Sequence, residues 1–151
     1  MPTGIGAVSM PVIGYAPGAY DMFHIGHLRI LQRARSICDR LVAGVATDEM
    51  ILRAKARHPV VPFEERLEIV ASIRHVDKAV ADPYLDKFLA WRRVGFHVLV
   101  KGDDWKDTER GEALESRLGS VGVRIVYFPY TAHVSSTSLR DRISVPDRPG
   151  G

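Results

Sequence analysis

With 151 residues, 46% hydrophobic and 26% charged, the chain has the composition of one globular domain, able to bury roughly two-thirds of its unfolded surface. The net charge of +3 fits an anionic ligand, but the 21 Lys and Arg are scattered, unlike the basic stripe of a nucleic-acid binder. A single cysteine, Cys38, excludes an internal disulfide and points to a reducing, cytoplasmic compartment, and no apolar run reaches the ~20 residues of a membrane span. The leader MPTGIGAVSM lacks the basic start and apolar core of a signal peptide, so residues 1–10 are expected to form a flexible arm. VIGY (12–15) reads as a strand. Apolar residues at Ile30, Leu31, Ala34, Ile37 and Cys38 then follow helical spacing. LVAGVA (41–46) is a buried strand. Pro62 opens a helix with Glu64 and Glu65 in its first turn, where the dipole favours acids, and with Phe63, Leu67, Val70 and Ala71 as its apolar face. KAVA (78–81) is a strand, LDKFLAWRRV (85–94) a helix, HVLV (97–100) a strand, GEALESRLGS (111–120) a helix and VRIVYF (123–128) a strand. SSTSLRDRI (135–143) predicts a last helix, and the Pro/Gly-rich 144–151 a disordered tail.

Strands alternating with helices predict a single α/β domain over 11–143, a Rossmann-like doubly wound parallel sheet of about five strands. Ligands in such folds bind beyond the carboxyl ends of the strands, which selects the loops that follow them. The first holds His24 and His27 at a strand-to-helix junction, with Gly26 between them. Gly18 permits a tight turn and Gly26 a close backbone approach, and N–H groups of the first helical turn favour phosphate oxygens. Two imidazoles there suit hydrogen bonding to a crowded anion. A capping histidine beside a packing one is the plain structural alternative. Zinc is a further option, but no third ligand accompanies the pair.

The stretch G-A-Y-D-M-F-H-I-G-H (18–27) resembles the G-x-F-D-x-x-H-x-G-H signature of the nucleotidyltransferase superfamily, in the form typical of its cytidylyltransferase branch. ATDEM (46–50) resembles that family's S/T-D-E segment. KARHPVVPFEERLEIVASIRHVD (55–77) resembles its basic loop and E-x-R helix ending in I-R-x-V-D. VKGDDW (100–105) resembles the G-D-D-W of bacterial glycerol-3-phosphate cytidylyltransferases. The resemblance covers 12–143. It implies transfer of CMP from CTP to glycerol 3-phosphate, giving CDP-glycerol and pyrophosphate, with Mg2+ held mainly by the phosphates, in a homodimer. The nucleophile is already an anion, so the need is to stabilise charge on the α-phosphate and on departing pyrophosphate.

By the same resemblance, His24, His27, Lys55 and Ser136 are the expected catalytic residues. Gly18, Ala19, Tyr20, Gly26, Lys55, Arg57, Lys101, Tyr130, Ser135, Ser136 and Thr137 would bind nucleotide. Asp21, Arg74, Asp104 and Trp105 would bind the acceptor, with Asp21 also orienting a histidine. Lys55 and Arg57 are expected on a flexible loop that closes over the triphosphate. Arg74 suits bidentate phosphate recognition, and it equally suits compensation of a helix C-terminus. The branch's R-T-E-G-I-S-T-T reads here as Tyr130-Thr131-Ala132-His133-Val134-Ser135-Ser136-Thr137. The hydroxyl run survives, while Tyr130, Ala132 and His133 replace the arginine, glutamate and glycine. HPVVPFEER also resembles the loop of ATP-using heptose-phosphate adenylyltransferases. CTP is the expected donor. The alternatives are an adenylyltransferase using ATP on a sugar phosphate or flavin, and a nucleotide-binding protein without turnover.

Overall fold

A computed structural model describes residues 10–129, 141 and 143 of the chain. Its strands are β1 (Ile13–Gly18), β2 (Arg40–Ala46), β3 (Lys78–Asp82), β4 (Val98–Gly102) and β5 (Arg124–Phe128). They form one parallel sheet in the order β3-β2-β1-β4-β5. The helices are α1 (Ile25–Ser36), α2 (Asp48–Lys55), α3 (Phe63–Ala71), α4 (Lys87–Val94) and α5 (Glu109–Gly119), with a 3₁₀ turn at Asp103–Trp105.

Both faces of the sheet are apolar because each strand contributes alternate residues to each side. Leu41, Ala43, Val45, Val98 and Val100 pack with Leu31 and Ala34 of α1 and Val70 of α3. Tyr15, Val42 and Leu99 face the other way, onto Ala90 of α4 and Leu118 of α5. Gly44 leaves room for the Tyr15 ring, since a Cβ there would overlap its hydroxyl. That hydroxyl donates to buried Asp82 at 2.8 Å, which also accepts from Lys87 Nζ at 2.8 Å. A carboxylate this deep is tolerated because cation and hydroxyl together satisfy it.

The predicted α/β sheet is the observed one, with shifts at element ends. The helix expected over 85–94 starts at Lys87 because the Asp86 carboxylate caps it, accepting from the Phe88 N–H at 3.0 Å. The sequence reading assigns no element to 47–55, and the structure places α2 there. Thr47 caps it, Asp48 and Glu49 occupy its first turn, and Ala56 ends it in the left-handed region at φ 55°. Lys55 is therefore the last residue of a helix, not part of a loop. Residues 1–9 and 144–151 and the expected hydroxyl-rich start of a last helix lie outside the described residues.

Candidate functional site

The strand order reverses between β1 and β4, so a crevice opens outside their carboxyl ends. Two loops flank it. One carries His24 and His27 after β1; the other carries Lys101 to Trp105 at the end of β4.

His24 is the N-cap of α1, and its Nδ1 accepts the Gly26 N–H at 3.0 Å. His27, in the third helical position, accepts the His24 backbone N–H on its own Nδ1 at 3.2 Å. This is a capping box built from two imidazoles instead of a hydroxyl and a carboxylate. The rings stack at 3.9 Å between centroids. With both Nδ1 atoms accepting, the proton of each neutral ring sits on Nε2. Burial lowers the His24 pKa, and burial, then His24 and Lys55, bring that of His27 down to about 3, against an opposing pull from Asp21. Near neutral pH the site presents two neutral Nε2–H donors. The structure shows the capping role for both rings, and capping through Nδ1 leaves the proton of each on Nε2. The Gly26 N–H, one of the first-turn donors, is engaged by His24.

The turn before the histidines is made by Tyr20 and Met22 in the left-handed region, at φ 54° and 50°. Gly18 ends β1 without a positive φ. Its bare Cα matters because the Tyr20 ring would stand 3.1 Å from a Cβ there. Two left-handed non-glycine residues cost on the order of 1–2 kcal/mol each, so the surroundings must hold them. The Tyr20 hydroxyl donates to the Ala16 carbonyl at 2.7 Å, and its ring lies against His27. Asp21, between them, is buried. Its two oxygens accept the N–H groups of Val60 and Val61, both at 2.8 Å. Asp21 thus ties the His loop to the segment before α3.

The guanidinium of Arg66 completes the frame. It is 1% exposed and donates to the carbonyls of Val61 (2.8 Å), Ala19 (2.6 Å) and Ala46 (2.8 Å) and to Asp48 Oδ1 (2.6 Å). One side chain joins the β1 loop, the end of β2, the start of α2 and the segment before α3. Sequence reasoning assigned no role to this arginine. The available signal was a charged residue at position 66 on the apolar stripe of Phe63, Leu67 and Val70.

On the other side of the crevice, Lys101 Nζ lies 3.9 Å from the centroid of the Trp105 ring, and Arg110 Cζ lies 5.2 Å from it. Burial lowers the Lys101 pKa, against the pull of Asp104.

A model of the cytidylyltransferase-like family matches residues 15–142. The chain belongs to the cytidylyltransferase-like family of nucleotidyltransferases. Glycerol-3-phosphate cytidylyltransferase of Bacillus subtilis is 31% identical over 130 residues, covering 84% of this chain and 93% of that protein. Ethanolamine-phosphate cytidylyltransferase of Arabidopsis thaliana is 43% identical over 143 residues, covering 88% of this chain. FAD synthase of Pyrococcus abyssi is 32% identical over 116 residues, covering 75% of this chain and 77% of that protein. The chain spans only 32% of the plant enzyme and 20% of the bifunctional HldE protein of Gluconacetobacter diazotrophicus that it also matches. The crystal structure of a lipopolysaccharide core biosynthesis protein from Thermoplasma volcanium superimposes with a TM-score of 0.70 at 25% identity, over 80% of this chain and 98% of that one.

Against this family's pattern, the structure brings Gly18, Ala19, Tyr20, Asp21, His24, Gly26 and His27 together at the junction from β1 to α1. Lys55 is close enough to His27 to act on its charge. Arg57 follows α2 with its Nε buried and lacking a hydrogen-bond partner among the described residues. Asp104 and Trp105 share the turn after β4. Arg74 is not brought in. It is exposed in the turn between α3 and β3, at the amino end of β3, whereas the histidines follow a carboxyl end. Tyr130, Ser135, Ser136 and Thr137, with Ala132 and His133, lie outside the described residues. A cavity of about 520 Å³ lined by Tyr15, Val42, Lys78, Val80 and Tyr84 lies on the α4 side of the sheet and contains none of the site residues.

Proposed function

We propose that the protein transfers CMP from CTP to glycerol 3-phosphate, releasing pyrophosphate. An oxygen of the acceptor phosphate forms a bond to the α-phosphorus of CTP, and the bond from that phosphorus to the bridging oxygen of pyrophosphate breaks. No proton need leave the nucleophile. His24 and His27 would donate through Nε2–H to phosphate oxygens as charge shifts to the leaving group. A phosphate oxygen would satisfy the buried Arg57 Nε, and Lys55 would add charge beside it. Ser135, Ser136 and Thr137 are proposed to hold phosphate, and Tyr130 to stack on the base or ribose. Among the described residues no three side chains of His, Cys, Asp or Glu converge on a cation site. Mg2+, when bound, would take its oxygens mainly from the triphosphate and neutralise charge there. A cytoplasmic homodimer is the proposed working form. No helix among the described residues is long and apolar enough to cross a membrane.

The observation that carries this reading is the capping box of two imidazoles, each accepting on Nδ1, in a chain that carries a G-D-D-W turn after β4 and matches the glycerol-3-phosphate enzyme over 93% of that protein. A second reading is adenylyl transfer from ATP. The FAD synthase match over 77% of its length supports it, as does the replacement of the expected arginine by Tyr130. A pyrophosphate-release screen of the four nucleoside triphosphates against phosphorylated polyols, sugars, aminoalcohols and FMN tests both. CTP with glycerol 3-phosphate is the expected productive pair. Turnover with ATP and FMN or a sugar phosphate in its place would establish the second reading.

A further inference from the structure

The turn after β4 presents Trp105 from a locked backbone. The Trp105 carbonyl accepts two hydrogen bonds from Thr108, from its N–H at 3.1 Å and its hydroxyl at 2.6 Å. Thr108 in turn caps α5, and Gly111 packs so closely on the same carbonyl that a Cβ would overlap it. The backbone that carries the indole is therefore fixed. The π face of an indole is a favoured seat for an organic cation. Here the seat is taken from within the chain, by Lys101 Nζ at 3.9 Å, with the Arg110 guanidinium at 5.2 Å. Lys101 itself is fixed at the end of β4, where its backbone is in register with Tyr127 of β5. The exposed carboxylates of Asp103 and Asp104 in the same turn would draw a cation, and Lys101 already answers that charge.

We infer that Lys101 is a specificity-determining residue, which by occupying the Trp105 face turns away acceptors that carry an amine and admits polyol phosphates that carry none. An aminoalcohol phosphate entering beside Trp105 would meet two cations on the ring that would otherwise attract it. A polyol phosphate brings hydroxyls and negative charge, which both cations accept. The inference rests on the proposed acceptor pocket beside Trp105, and it names the acceptor class for that pocket.

The test compares sn-glycerol 3-phosphate with phosphoethanolamine in the wild type, Lys101→Met and Lys101→Arg. Turnover is measured with CTP and with ATP. Binding is measured by calorimetry with the α,β-methylene analogue of each nucleotide present. The wild type should favour glycerol 3-phosphate by at least about tenfold, Lys101→Met should erase most of that preference through the phosphoethanolamine KM or Kd, and Lys101→Arg should retain it. Equal use or equal binding of the two acceptors by the wild type overturns the inference whether or not the variants fold. So does an unchanged preference in a folded Lys101→Met, or binding of neither compound. Selective binding without turnover would support the filter while removing the proposed reaction. Turnover without selectivity would do the reverse.

Discussion

His24 and His27 each cap α1 with one ring nitrogen, and the proposed function gives the other a second job. Nδ1 of each closes the start of α1, which puts the proton of each neutral ring on Nε2. Replacing either with alanine is expected to lower kcat by roughly a hundredfold or more, since one lost donor to transition-state charge typically costs ~3 kcal/mol. The same change removes a capping contact, so the melting temperature should fall by the equivalent of about 1 kcal/mol without loss of the fold. Steady-state kinetics and thermal melts check both halves, and full activity in folded variants would reject the assignment. The pKa of His27 makes a separate prediction. The unfolded chain binds its proton near the ordinary 6.5, the folded chain only near 3. Below pH 6.5 the unfolded state holds more protons, so His27 favours unfolding increasingly as pH falls from 6.5 towards 3, and has no such effect above that window. His27→Asn keeps an acceptor for the His24 N–H and removes the titrating ring. Urea denaturation of this variant should show a flatter stability profile between pH 6.5 and 4. A slope equal to that of the wild type would contradict the assignment of a buried, neutral imidazole.

The β1 loop, α2 and the segment before α3 are short, and two buried side chains hold them together. Arg66→Ala would leave three carbonyls and the Asp48 carboxylate without their shared donor. Asp48 is partly exposed, so the loss falls mainly on the carbonyls, and stranding such acceptors costs about 1–3 kcal/mol, to be read as a shift in the urea midpoint. A loss below 1 kcal/mol would show that water replaces the guanidinium freely. Asp21→Asn makes a narrower change. The side-chain amide turns a donor towards one of two backbone N–H groups, and the Val60 and Val61 amides should then exchange with solvent faster than in the wild type. Unchanged exchange at both would remove Asp21 from its clamping role. These two residues also mark how far the sequence could be read. The five strands and the α/β alternation were legible because buried parallel strands are short continuous apolar runs. The histidine pair was legible because its spacing is local. Arg66 was not, because its partners lie up to 47 residues away in sequence. The left-handed Tyr20 and Met22 escaped because neither residue type signals that conformation, and the reading looked to Gly18 for the turn. Helix α2 was missed although Thr47, Asp48 and Glu49 spell a helix start, because its eight residues carry a weak apolar face with one buried residue, Ile51. Arg74 was expected in the site from its motif alone, and only the direction of β3 shows that it stands at the other end of the sheet.

The whole molecule arranges a parallel sheet so that its central strands, β1 and β4, deliver unlike chemistry to one crevice. β1 brings neutral hydrogen-bond donors on a helix start, and β4 brings an indole with cations on its face. Such a crevice suits two phosphorylated ligands meeting end to end, and the mild net charge of +3 suits their approach. Base choice depends on buried groups that pair with cytosine or with adenine and not with both, a mismatch that can cost several kcal/mol. The central claim is therefore best tested by following CTP and ATP with sn-glycerol 3-phosphate by 31P NMR, under conditions that yield kcat/KM for each. The account predicts equimolar pyrophosphate and CDP-glycerol, with CTP favoured over ATP by about a hundredfold. A preference of that size for ATP, or no pyrophosphate from either nucleotide, would contradict it.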